Sequence, residues 1–152
     1  MAKAYYSTVF AESADQLWNV VRDFGNYSLW VDEVDESYVE EGRSGDSVGA
    51  IRYARIGDKH VRQRLLAHSD VARSYTYALR EPYRFPFRNF EGTLRITPIV
   101  DGDKAFVEWW ATFDCADGDY VRWTSFLNES FAKWLGSLRG YVAQARDPVT
   151  AC

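Results

Sequence analysis

The 152-residue sequence is poor in the residues that build metal centres and covalent frameworks, with two cysteines and two histidines. Cys115 follows a strand-like run and Cys152 is the last residue, a spacing that offers neither a disulfide pair nor a metal cluster, so both thiols are expected reduced. His60 and His68 stand eight residues apart in one strand-like run. They should share a surface face, yet lie too far apart to ligate one metal. No metal and no cofactor is therefore expected. A basic stripe is also lacking. With net charge −4 and scattered Lys and Arg, the chain is a poor match for nucleic acid. No run approaches a membrane span, and Met1-Ala2-Lys3-Ala4 enters Tyr5-Tyr6-Ser7 without the apolar core of a signal peptide, so a cytoplasmic location is expected. Nucleophile triads and phosphate-cradling glycine loops are missing too.

What the sequence has in surplus is aromatic: 16% of residues, six of them Trp. Such a surplus either fills a core or offers a surface to flat apolar ligands. The length fits a single domain over residues 1–152. Asp119 to Ala145 predicts the longest helix, because Trp123, Phe126, Leu127, Phe131, Trp134, Leu138, Val142 and Ala145 recur at three- and four-residue spacing. Asp119 is its candidate N-cap, and Pro148 prevents extension much past Arg146. At 1.5 Å per residue it is roughly 40 Å long.

Upstream, Ala4 to Phe10 reads as a strand, and Ser13 caps a helix carrying Ala14, Leu17, Trp18, Val20 and Val21 that stops at Gly25. Asn26 to Trp30 is one more helical turn, and Val31 to Glu41 a strand exposed on one face. Five strands follow: Ser47 to Ile56, Lys59 to His68, Ser74 to Arg80, Arg88 to Pro98 and Lys104 to Asp114. Their tight connections at Gly57-Asp58, Ser69-Asp70 and Asp101-Gly102-Asp103 predict an antiparallel meander. The fold class is α+β, a sheet gripping the last helix.

Several segments carry a family likeness: Ala14-Asp15-Gln16-Leu17-Trp18 with Asp23-Phe24-Gly25 and Trp30, Val48-Gly49-Ala50-Ile51-Arg52, Gln63-Arg64-Leu65-Leu66 before Asp70, Phe90-Glu91-Gly92 and Val107-Glu108-Trp109. Over nearly its whole length the chain resembles the START-related helix-grip superfamily: polyketide cyclase/dehydrase-like SRPBCC proteins, the birch-pollen allergen family and plant abscisic acid receptors. The resemblance implies a curved antiparallel sheet of seven strands around a long C-terminal helix, with two short helices after the first strand closing one end of a cavity. Relatives bind sterols, lipids, hormones or polyketides, and some catalyse cyclisation or dehydration. None of the matching segments is a catalytic motif, so the likeness bears on fold before activity.

The resemblance also implies which side chains face the cavity. It turns inward Ala50, Arg52, Ala54 and Ile56; Val61, Gln63, Leu65 and Ala67; Tyr75, Tyr77 and Leu79; Phe90, Gly92, Leu94 and Ile96; and Glu108 with Trp110. Asp32 matches a cavity-facing position of some relatives. On the last strand, polarity alone favours the opposite set, Val107, Trp109, Ala111 and Phe113, which would expel Glu108 to solvent. The family register is adopted here. It makes Glu108 and Arg52 the candidate catalytic pair, Glu108 as general acid or base and Arg52 polarising a carbonyl, or else a structural ion pair. The candidate ligand contacts are Asp32, Gln63, Tyr75, Tyr77, Phe87, Phe90, Trp110, Phe126, Ser130 and Trp134. Phe126, Ser130 and Trp134, at steps of four, would form a slot for a flat molecule, unless Ser130 only relieves crowding. Trp123, Leu127, Leu138 and Val142 are assigned to the sheet. Glu129, Lys133, Gly136 and Gly140 form the opposite face, the first two at salt-bridge spacing. The mouth loops are Ile56-Gly57-Asp58-Lys59 and the lid-like Pro82-Tyr83-Arg84-Phe85-Pro86-Phe87, which lacks the gate motif of the hormone receptors.

Three functions are compatible with this reading. The first is binding of a small hydrophobic, aromatic or polyketide-like molecule; the second is a cofactor-independent cyclase or dehydratase; the third is a protein-interaction module. A monomer or homodimer is expected, with no nucleic-acid partner.

Overall fold

A computed structural model describes residues 1–81, 83 and 85–145. The expected helix stop at Arg146 and Pro148, Cys152, and Pro82 and Arg84 of the mouth loop lie outside the described residues. Seven antiparallel strands form one sheet: β1 Ala2–Phe10, β2 Glu36–Val39, β3 Ile51–Ile56, β4 Lys59–Ser69, β5 Ser74–Arg80, β6 Arg88–Ile99 and β7 Lys104–Asp114. Their order is β1-β7-β6-β5-β4-β3-β2, so β2 to β7 run as a meander and β1 returns beside the last strand. The chain must therefore cross the whole sheet between β1 and β2. It does so through α1 Ala14–Val21, a 3-10 turn Phe24–Asn26 and the single turn α2 Tyr27–Trp30. α1 starts where a capping box dictates: the amide of Gln16 donates to Ser13 Oγ, and that of Ser13 to Gln16 Oε1.

The long helix α3, Tyr120–Ala145, buries Leu127, Phe131, Leu135, Leu138 and Val142 along one stripe. The carbonyl of Asp119 accepts from the amide of Trp123 at 3.0 Å, placing Asp119 at the N-cap position. α3 also seals the free edge of β1. Asn128 Oδ1 accepts from the Tyr5 amide at 2.8 Å, and Arg139 donates to the Val9 carbonyl at 3.1 Å and covers the Phe10 ring. An exposed strand edge is an aggregation template, and these side chains cover part of it.

Three expectations need correction. The strand expected over Val31 to Glu41 shrinks to Glu36–Val39, because Val31 to Val34 make a turn that buries both valines in the core. In β4 a bulge shifts the pairing register between Leu65 and Ala67. One extra residue reverses every later side chain. Ala67 is therefore exposed, while His68 turns inward onto the Trp18 ring at 5.3 Å. His60 and His68 do not share a face. In β7 the polarity pattern prevails over the adopted family register: Val107, Trp109, Ala111 and Phe113 are fully buried. Trp109 lies parallel to Phe131 at 5.0 Å and donates through Nε1 to Tyr77 Oη at 3.1 Å. Burying that indole is worth on the order of 3 kcal/mol, whereas an unpaired carboxylate in its place would cost several.

An aromatic chamber between the sheet and the long helix

Between α3 and the inner face of β3, β4 and β5 lies a chamber of about 600 Å³. Its inner end is made by Tyr27, Gln63, Tyr77 and Phe131, all buried, with Trp134 beside them. Ala54, Val61, Leu79 and Phe90 form the walls, and Lys59, Phe85, Phe87, Arg122, Trp123 and Phe126 surround the mouth. The rings at the mouth brace one another. Phe85 meets Phe126 at 5.5 Å, and Trp123 stands edge-on to Phe87 at 5.3 Å and to Phe126 at 5.4 Å.

Beneath the inner end sits Arg52, 1% exposed. Its guanidinium is sandwiched between the rings of Phe24 at 4.0 Å and Tyr27 at 3.8 Å. Nε donates to Gln63 Oε1 at 2.8 Å, Nη2 donates to the same oxygen, and Nη1 donates to the Phe24 carbonyl at 3.3 Å. None of the ion pairs among the described residues includes Arg52. The rings of Phe24 and Tyr27, the more distant Tyr77 ring at 5.5 Å and two carbonyl oxygens stand in for a counter-ion. Cross-strand pairing of Arg52 with Gln63, set by the two-residue turn at Gly57-Asp58, brings these side chains together. Because Gln63 Oε1 is taken up by Arg52, its Nε2 is left without a protein partner among the described residues, at the wall of the chamber. Tyr77 Oη accepts from Trp109, so its own proton remains available to a ligand. Tyr77 occupies its place because Gly92 pairs with it across the sheet. A Cβ at Gly92 would lie 2.5 Å from the Tyr77 ring. Burial pushes the phenols of Tyr27, Tyr75 and Tyr77 upward, so all three are neutral donors at physiological pH.

Of the candidate contacts, Gln63, Tyr77, Phe87, Phe90, Phe126, Ser130 and Trp134 line the chamber. Tyr75 does not; it is buried behind the inner end against Phe24 and Trp18. Asp32 is exposed and reaches α3 only through its amide, which donates to Ser137 Oγ at 2.8 Å. Its neighbour Glu33 lines the chamber instead, held by Lys133 Nζ at 2.6 Å and by Trp134 Nε1. Strand alternation could not find Glu33, because residues 31–35 are not a strand. Burial raises its carboxyl, but the bonds from Lys133 and Trp134 outweigh this and leave it below the usual range. Lys133 is thus not on an opposite face paired with Glu129. Trp123, assigned above to the sheet, belongs to the mouth, and among the described residues its buried Nε1 has no acceptor. An orphan donor of this kind costs about 1–3 kcal/mol.

Glu108 and Trp110 are on the other side of the sheet. Glu108 Oε2 accepts from Tyr5 Oη at 2.6 Å, and Oε1 from Arg95 Nη2 at 2.9 Å. The Trp110 ring is flanked by Tyr5, Lys3 and Arg95. Burial raises the Glu108 carboxyl, yet these bonds bring it below its ordinary value. It is an ionised member of an outer-face cluster, and the pairing of Glu108 with Arg52 proposed from the sequence does not form. A third polar cluster joins Asp46, His68 and Asp70, whose ligand atoms lie within 4.8 Å of one another. Arg22 donates to both carboxylates, and Trp18 Nε1 to Asp70 at 2.9 Å, so both carboxylates are already engaged by the protein's own donors.

A seven-stranded antiparallel sheet holding a long helix over an aromatic chamber defines a helix-grip protein. The chain belongs to the family described as polyketide cyclase / dehydrase and lipid transport, which matches residues 1–143. Similar solved structures include a Thermobifida fusca protein, 28% identical, covering 93% of each chain with a TM-score of 0.82. A Nitrosospira multiformis protein is 25% identical over 95% of this chain and 99% of its own, with a TM-score of 0.79. The di-domain ARO/CYC protein BexL, from a biosynthetic pathway, shares the fold at 15% identity and a TM-score of 0.77, this chain spanning 47% of it. No curated protein is significantly similar in sequence. No described helix is long and apolar enough to cross a membrane.

Proposed function

We propose that the chain binds a small, largely aromatic hydrophobic molecule in the chamber, with a carbonyl or hydroxyl oxygen of the ligand directed at Gln63 Nε2 and Tyr77 Oη. The observation that carries this reading is the chamber itself. Its volume of about 600 Å³ lies within the range of small-molecule sites, and its lining is mostly rings and aliphatic side chains with few polar groups at the inner end. A protein-interaction module whose cavity is filled by its own side chains would have no such space. The two donors also favour a second reading, a cofactor-independent cyclase or dehydratase in which they polarise a ligand ketone. That reading is the weaker one, because the carboxyl of Glu33 at the chamber wall is kept below the usual range and is already held by Lys133 and Trp134.

The test is titration with the neutral fluorophore N-phenyl-1-naphthylamine. Saturable binding at one site, lost in Ser130→Trp, which fills the chamber, and kept in Glu108→Gln on the outer face, is the expected result. Equal binding by the Ser130 variant and the parent would refute it.

A further inference from the structure

The chain as a whole carries net charge −4, yet its chamber does not. The charged residues lining it are Lys59, Arg122 and Lys133 against Glu33 and Glu129. Lys133 and Glu33 neutralise each other at 2.6 Å. Lys59 and Arg122, both exposed, make no ion pair among the described residues, and Arg52 adds a further positive charge beneath the inner end. The lining thus carries one net positive charge in an acidic protein, opposed outside the lining by Asp58 beside Lys59, and low-dielectric walls strengthen its effect at the mouth. One further feature marks the mouth as a place for an anion. Arg122 lies in the first turn of α3, where the helix dipole disfavours a cation, and it is stacked at 4.7 Å on Trp123.

We infer that the chamber selects aromatic ligands bearing an acidic group, such as a carboxylate or sulfonate, held at the mouth by Lys59 and Arg122. This rests on the binding reading above and specifies the ligand class. The apolar body enters, the inner oxygen meets Gln63 and Tyr77, and the acid remains at the opening, where desolvation is least costly. Glu129 works against this preference from two helical turns away on the same helix.

The experiment compares two fluorophores of one skeleton, neutral N-phenyl-1-naphthylamine and the anion 1-anilinonaphthalene-8-sulfonate, on the full chain. At low ionic strength the sulfonate is expected to bind about fivefold more tightly, with the advantage shrinking as salt is added. The ratio of the two affinities should collapse toward one in the double variant K59Q/R122Q and rise in Glu129→Gln. It should be unchanged in Lys104→Gln, at the opposite end of the sheet. Circular dichroism of each variant separates a lost preference from a lost fold. An equal or weaker affinity for the sulfonate, or an advantage that survives K59Q/R122Q, would overturn the inference while leaving the chamber's binding role intact. Binding of neither fluorophore would overturn both.

Discussion

Replacing Gln63 by Leu tests how the buried charge at the inner end is tolerated. Arg52 is 1% exposed and pairs with no carboxylate among the described residues, so Gln63 Oε1, taking bonds from both Nε and Nη2, is its main polar support. Hydrogen bonds to a charged group contribute about 1.5–3 kcal/mol, and leaving a buried charge uncompensated raises the loss to about 3–5 kcal/mol. For a protein of this size that corresponds to a fall in melting temperature of roughly 10 °C. Arg52→Met removes the charge together with its partners' obligation and should lose less, about 1.5–3 kcal/mol, much of it from the contacts with Phe24 and Tyr27. The double variant R52M/Q63L leaves neither a charge nor an unpaired amide. It should be more stable than Gln63→Leu alone, with a coupling energy of about 1.5–3 kcal/mol. Urea unfolding of the four proteins measures the cycle. If the two single losses simply add, or if Gln63→Leu loses under about 1 kcal/mol, the ring faces solvate the guanidinium sufficiently and the reasoning fails.

Gly92→Ala places a Cβ 2.5 Å from the Tyr77 ring, so the ring must move and its bond from Trp109 weaken. A loss of about 1–3 kcal/mol by thermal melting, together with a change in tryptophan emission, is expected. Acid should destabilise the fold through Glu40 and Asp70. Arg62 holds Glu40 below its ordinary value by paired bonds at 2.8 and 2.7 Å, and Arg22, Trp18 and His68 hold Asp70 well below. A carboxyl depressed in the folded state contributes stability that is complete above the unfolded pKa, near 4, and vanishes as pH falls through the folded value. Unfolding free energy should therefore decline below about pH 4, and Glu40→Gln should be less stable at neutral pH with a shallower acid decline; a pH-independent difference between the two proteins would contradict this.

Part of the site could be read directly. The family register turned Arg52, Gln63 and Tyr77 inward, and strand alternation keeps them there because β3, β5 and the first half of β4 are regular; Phe90 faces the chamber too, although it lies where the pairing register of β6 shifts between Arg88 and Glu91. Helical spacing likewise put Phe126, Ser130 and Trp134 on one face. Two of the misplacements share a cause: His68 follows a bulge and Glu33 lies in a turn, and at each the phase along the chain is reset. Glu108 is a different case, since β7 is regular there and its own polarity pattern, not the family register, gives the observed face. Trp123 and Lys133 went astray differently. The helix face was legible, but which portion of it meets sheet, chamber or turn depends on how far α3 reaches past β3 and β4.

The sequence by itself determined the element types, the meander and the long amphipathic helix, because periodicity, capping and tight turns act over a few residues. It also determined that β7 would bury Val107, Trp109, Ala111 and Phe113, since exposing those side chains would forfeit several kcal/mol. Only the tertiary structure decided that Arg52 would be neutralised by rings and an amide, that Glu108 would pair with Arg95 and Tyr5 outside, and that the mouth would hold Lys59 and Arg122. Those outcomes depend on which side chains from separate strands and α3 converge in space. Local pattern carries no term for that convergence.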